Sequence, residues 1–251
     1  MKVKIIILCV ILMFFIKNLN AQFFVPFITI DTDGWTNIRE KPNALSKIVG
    51  KVHRYQIFYF IVECDDDYGN YSSNNWLLIH TGQVSGYIYK KKICNIEELP
   101  SLKTIKTIRH IGKGGGIIYD DEGTIICAND TLTVTMQVQP FDKTKHKLRV
   151  ENTHDGEHVW SIDDQRFYGT ENRMPDREIK SLEILHNEKK TLINLCSINN
   201  LYDPHTMKVF LGQHGELYLF ISGGGDAGWY GVWLSVVDGD ILDKCFEDNC
   251  W

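Results

Sequence analysis

The sequence predicts an all-β protein: a small barrel followed by a second β-rich, sandwich-like domain. Two observations carry this reading. Aromatic, aliphatic and β-branched residues gather in short runs bounded by Gly, Asn, Asp and Ser clusters, the pattern of strands separated by turns. A helical repeat of apolar positions is almost absent. The 251 residues are 43% hydrophobic and 24% charged. That is ordinary globular composition, which excludes disordered, collagen-like and low-complexity classes.

In chain order, residues 1–21 read as a signal peptide. Lys2 and Lys4 precede an unbroken apolar run, Ile5–Ile16, and Leu19-Asn20-Ala21 offers a cleavage site before Gln22. The run is too short to span a bilayer, which needs about 20 apolar residues. No later apolar stretch reaches that length. The expected product is exported, periplasmic or secreted, and does not span the membrane once the leader is cleaved. Lys+Arg is 27 and Asp+Glu 32; removing Lys2, Lys4 and Lys17 with the leader leaves 24 against 32, or −8. Such an acidic balance argues against a nucleic-acid partner.

Strands are expected over 52–63, 76–80 and 86–93, within a first domain at 22–99. The strand pattern lapses over 95–106, where Pro100 stands, so a boundary falls there. The second domain, 100–251, carries runs at 124–139, 147–151, 158–162, 207–211, 216–221 and 229–237. Asn129-Asp130, Asp155-Gly156 and His214-Gly215 are hairpin tips, Asp-Gly being the strongest. Residues 176–187 fit a short helix, and 178–185 fit a strand equally well.

Setting Cys9 in the leader aside, six cysteines remain: Cys64, Cys94, Cys127, Cys196, Cys245 and Cys250. An even count in an exported chain favours disulfides. Two cysteines fall in each third of the mature chain, giving Cys64–Cys94, Cys127–Cys196 and Cys245–Cys250 as the expected pairing. Buried thiols are the alternative. No C-x-x-C pair supports zinc.

Residues 29–96 resemble the bacterial SH3 (SH3b) family. The family's opening step stands as Thr36-Asn37-Ile38-Arg39-Glu40-Lys41-Pro42, running on to Ile48-Val49-Gly50. Asn75-Trp76-Leu77-Leu78-Ile79 stands where Gly-Trp-x-Lys-Val is usual, and Gly86-Tyr87-Ile88 where Gly-Trp-Val is usual. An acidic insert, Cys64–Asn75, replaces the customary tight turn. The resemblance implies a five-stranded barrel that acts as a binding or targeting module for cell-wall peptide or glycan. Aromatic rings would supply the contact area: Tyr68, Tyr71, Trp76, Tyr87 and Tyr89. Arg39 has two readings, a ligand contact or a bond to loop carbonyls. Asp65–Asp67 would suit an amine, a basic peptide or calcium, or would form a solvated loop.

In the second domain, Phe167–Thr170, Leu201–Pro204 and Ser222–Tyr230 resemble β-rich domains of secreted bacterial proteins, a likeness that implies no activity. The 222–230 loop supplies further ligand-binding candidates in Asp226, Trp229 and Tyr230. Gly223-x-Gly225-x-x-Gly228 matches the dinucleotide fingerprint in letters, but a strand, not a helix, is expected after it, so the phosphate cradle is missing. His154-Asp155-Gly156-Glu157-His158 matches an inverted zinc-protease motif, yet that chemistry needs both histidines on one helical face, and these sit at a hairpin tip. The cysteine peptidases that often accompany SH3b modules need a cysteine opening a helix; none stands here.

The sequence therefore offers no catalytic residues, no metal site and no cofactor. The expected function is non-catalytic binding at the envelope, with peptidoglycan or another envelope protein as partner. The alternatives are a β-rich hydrolase with unrecognised carboxylates, and a protein-binding or inhibitory protein of the envelope.

Overall fold

A computed structural model describes residues 23–62, 75–81, 83–111, 117–119, 123–154, 156–225 and 228–247. It is all-β, its remaining regular structure being short 3₁₀ turns. The chain divides into two compact units. The first runs to His53 and resumes over Phe58–Cys94; the second holds Arg54–Ile57 and everything from Asn95.

The first unit contains β1 (Phe23–Thr29), β2 (Trp35–Arg39), β3 (Ile48–His53), β4 (Phe58–Val62), β5 (Trp76–His80), β6 (Ser85–Tyr89) and β7 (Ile93–Asn95). They form one sheet in the order β3-β2-β6-β5-β4-β1-β7. The expected run at 52–63 is in fact two strands, interrupted at 54–57, where Tyr55 has φ 71°. Strand alternation decides which residues serve the core. Ile38, Leu77, Ile79 and Ile88 turn inward with Val52, Phe58, Phe60 and Ile93. Asn37, Arg39, Trp76 and Tyr89 fall at the intervening positions of β2, β5 and β6, and so share a side away from that core.

The second unit contains β8 (Lys103–Lys106), β9 (Arg109–Ile111), β10 (Ile117–Tyr119), β11 (Thr124–Ala128), β12 (Leu132–Pro140), β13 (Leu148–Thr153), β14 (Gly156–Ile162), β15 (Arg177–His186), β16 (Lys189–Leu192), β17 (Pro204–Leu211), β18 (Leu217–Gly223), β19 (Tyr230–Val237) and β20 (Asp240–Phe246). A five-stranded sheet, β16-β15-β12-β11-β8, and a four-stranded sheet, β17-β18-β19-β20, share one core. Ile125, Val134, Met136 and Leu182 come from the first; Met207, Val209, Leu219, Ile221, Val232 and Leu234 come from the second. Strands β9–β10 and β13–β14 pair as separate hairpins.

Turns fall where the polar dipeptides stand. At the β11–β12 turn the Asn129 Oδ1 accepts from Thr131 N at 3.0 Å and Leu132 N at 2.8 Å, closing an Asx turn. The β13–β14 tip joins Thr153 to Gly156. Residues 177–186 are strand because β15 pairs along the whole of β12, from Leu132↔His186 to Pro140↔Arg177. Tertiary pairing here overrides a local pattern that suited either state. Strand β19, not a helix, follows Gly228. No helix among the described residues is long and apolar enough to cross a membrane.

Candidate functional site

Each unit carries a depression of ligand size. In the first unit a groove of about 570 Å³ is bounded by Thr36, Asn37 and Arg39 of β2, by Pro42, Asn43 and Ala44 of the following loop, and by Trp76, Tyr89, Asp31 and Lys92. Trp76 and Tyr89 are register partners on β5 and β6. Their rings pack at 5.4 Å with a 57° tilt, a cross-strand aromatic pair with open surface beside it. Lys92 Nζ donates to Asp31 Oδ1 at 2.8 Å, and this bond holds the Asp31 carboxyl below its usual pKa. The Asn37 Oδ1 is buried and has no hydrogen-bond partner. Arg39 Nη1 donates to the Ser46 carbonyl at 2.7 Å, so this guanidinium ties down the 40–47 loop.

The second unit has a cleft of about 560 Å³ lined by Gly169, Thr170, Arg173, Met174, Asp176, Arg177, Asp203, Pro204, Gly224 and Gly225. Three separated stretches singled out in the sequence, Phe167–Thr170, Leu201–Pro204 and Ser222–Tyr230, converge on it. Backbone bonds bring them together: Tyr168 N to Asn200 O, Tyr202 N to Tyr168 O, and Gly224 N to Asp203 O, each 3.0 Å. Gly169 is required there, because at φ 119° any side chain would strike the Tyr202 carbonyl. Asp203, at φ 49°, accepts at Oδ1 from Arg177 N at 2.7 Å and Asp176 N at 3.1 Å. Burial pushes its carboxyl up to about 6, against the pull of the Arg177 N–H.

His146, just after the 143–145 turn, sits between two carboxylates, one of them Glu178 at the start of β15. Nδ1 lies 2.7 Å from Asp163 Oδ2, and Nε2 lies 2.7 Å from Glu178 Oε2. Burial opposes charge on the ring, but the bonds to Asp163 and Glu178 outweigh it and raise the His146 pKa. Phe141 stacks on the imidazole at 4.8 Å, and Tyr202 meets it edge-on at 6.4 Å. With both nitrogens engaged the ring serves as a charged clamp, with no lone pair left to take a substrate proton. The two carboxylates bind opposite sides of the ring, so the three do not converge. Among the described residues no group of His, Cys, Asp or Glu is arranged to hold a metal ion.

The ligand-binding candidates fall in four settings. Trp76 lines the groove. Tyr87 is half-buried two residues along β6 from Tyr89, opposite Leu78. Trp229 is 39% exposed. Tyr230 belongs to the core: it is 2% exposed among the residues shared by the two sheets, and its hydroxyl is buried without a partner. The loop edge expected at Trp229-Tyr230 thus gives way to strand after one residue, and the pleat turns Tyr230 inward. Tyr68, Tyr71 and Asp226 lie outside the described residues.

The cysteines differ from the expected pairing. Cys127 and Cys196 are free thiols. Cys127 Sγ is buried and donates to the Met207 carbonyl at 3.3 Å; burial raises its pKa. Cys196 is exposed on a 3₁₀ turn. One is a core side chain of β11 and the other faces solvent, so no bond joins them. No two described cysteines are bonded to each other. The partners expected for Cys94 and Cys245, namely Cys64 and Cys250, lie outside the described residues.

His146, Asp163, Glu178, Arg173, Arg177 and Asp203 were not read as site residues. Asp203 stands in Leu201–Pro204, Arg177 and Glu178 stand in the 176–187 segment that suits helix or strand, and Asp163 is a carboxylate without a local signature. Comparison with protein-family models, curated proteins and solved structures finds no match to this chain.

Proposed function

We propose that the chain is a non-catalytic, exported binding protein of the bacterial envelope, and that its first unit is an SH3b-type targeting module for cell-wall peptide or glycan. One observation supports this most directly. Thr36, Asn37, Arg39 and Pro42, which carry the resemblance, form one wall of the groove, and the Trp76–Tyr89 pair forms the other. A sugar ring or peptide plane stacks on such rings, and the Asp31–Lys92 pair and the Asn37 amide add polar contacts at the edge. The engaged His146 nitrogens accord with binding rather than turnover.

The test is co-sedimentation of the full chain with purified peptidoglycan. Retention of the parent and its loss in Trp76→Ala and Tyr89→Ala, both remaining folded by circular dichroism, is the expected result. A parent that stays in the supernatant, or variants retained as well as the parent, would overturn the proposal.

A further inference from the structure

The cleft of the second unit is independent of the groove and calls for a different ligand. We propose that it binds a zwitterionic small molecule, a free amino acid or the end of a short peptide, with the ammonium against Asp203 and Asp176 and the carboxylate against Arg173.

Charge is the first argument. Among the described residues the lining holds two carboxylates and two guanidiniums. A lone anion such as phosphate would face Asp176 and Asp203; a lone cation would face Arg173 and Arg177. A ligand carrying both charges satisfies both sets, which is the electrostatic complementarity that confers specificity. Arg173 is available for this. Its side chain is 72% exposed, and its ion pair with Glu171 is long, at 3.7 Å. A neutral sugar would want an aromatic platform, and no ring stands among the described residues that line the cleft.

The state of Asp203 is the second argument. The backbone N–H groups of Asp176 and Arg177 fix its Oδ1. A carboxylate desolvated by burial costs the fold stability, and its pKa is raised accordingly. Tyr230 lends no bond: its hydroxyl has no partner, although the Asp203 charge reaches it. An ammonium against this carboxylate would add to the counter-charge that Arg177 already supplies. Carboxylates perturbed by burial in a cleft are characteristic of functional sites.

Shape is the third. Next to Asp203 the lining is Gly224, whose N–H bonds the Asp203 carbonyl, and Gly225, where an added Cβ would meet nothing within 4 Å. The cleft's 560 Å³ falls in the range of small-molecule sites, roughly 300–1,000 Å³.

The experiment is calorimetric titration of the full chain with L-alanyl-L-alanine, its N-acetyl form and its C-terminal amide. Saturable binding of the free dipeptide is expected. Capping either end should weaken it about tenfold or more, the scale of one lost charge-assisted hydrogen bond. Asp203→Asn, which keeps the Oδ1 acceptor, and Arg173→Ala, at an exposed position, should each weaken it by a similar factor without lowering Tm. Trp76→Ala should leave it unchanged. No saturable binding at millimolar dipeptide, equal affinity for the capped forms, or indifference to both cleft variants would overturn the proposal. So would loss of binding in Trp76→Ala, which would move the dipeptide to the groove.

Discussion

The groove and the cleft enclose nearly equal space, about 570 and 560 Å³, and are built on opposite lines. The groove joins two paired aromatic rings, a proline and one satisfied ion pair on neighbouring strands of one sheet. Among the described residues the cleft has no ring, two carboxylates and two guanidiniums, drawn from three stretches far apart in the chain. The aromatic surface lies on the far side of a sheet whose core is already complete, so it costs the fold little. The charged surface holds a carboxylate that burial penalises. A binding face of the first kind can change without unfolding the unit, whereas one of the second kind trades stability for recognition.

The largest expected effect tests where the cleft ends and the core begins. Tyr230→Ala removes a ring buried between the two sheets and should cost roughly 3–5 kcal/mol in urea unfolding, as large-to-small core changes do. Tyr230→Phe removes only an unpartnered hydroxyl and should be neutral or stabilising by up to about 1 kcal/mol. A cost under about 1 kcal/mol for the alanine variant would return Tyr230 to the ligand-facing loop.

Next comes the clamp that fixes the cleft's β15 wall, which has no counterpart in the groove. His146→Ala leaves Asp163 and Glu178 without their shared cation and should cost about 2 kcal/mol near pH 6. The sign with pH follows from the raised imidazole pKa. The stabilisation is complete below the unfolded value of about 6.5 and is lost as pH rises through the higher folded value. Unfolding free energies measured from pH 5 to pH 9 should therefore converge for parent and variant at the alkaline end. A constant gap would mean that His146 acts by packing on Phe141 alone.

The two regions also differ in how far the sequence reveals them. Trp76, Tyr89 and the Asn37–Pro42 segment could be picked out because the groove follows from strand alternation plus one recognisable motif. The cleft could not be assembled the same way. Gly169, Asp203 and Gly224 meet through loop backbone bonds that leave no periodic trace. His146 lies about thirty residues from Glu178, in a turn with no pattern of its own. Cys127 and Cys196 fell into an even count that favoured a bond, while burial of one and exposure of the other decided against it. Strand β15 shows the limit most plainly: its residues suited helix or strand, and only the length of β12 beside it settled the matter.

Asp203→Asn sharpens the cleft's half of the contrast. The folded pKa is raised from 3.8 to about 6, so the folded state holds its proton longer than the unfolded chain does. The parent should lose stability as pH rises through that window, and the asparagine variant should not. The two should match below about pH 4 and differ above pH 6, the variant being more stable by about 1–2 kcal/mol after allowance for the partial exposure of the group. Thermal unfolding at pH 4 and pH 7 reads this directly. A variant less stable at pH 7 would show that the fold depends on the charge, and the idea of a site kept at the expense of stability would fail.

The smallest effect belongs to the groove. Trp76→Ala removes a half-buried ring that packs on Tyr89, on the side of the sheet away from Ile38, Ile79 and Ile88. About 1 kcal/mol of lost stability is expected, well below a core truncation. Because Tyr89 keeps its place on β6, Trp76→Phe should recover most of that loss, and peptidoglycan retention with it if a flat ring is what the ligand needs. A loss near that of Tyr230→Ala would show that Trp76 holds the first unit together, and the two regions would then differ in chemistry alone, both being built from residues the fold cannot spare.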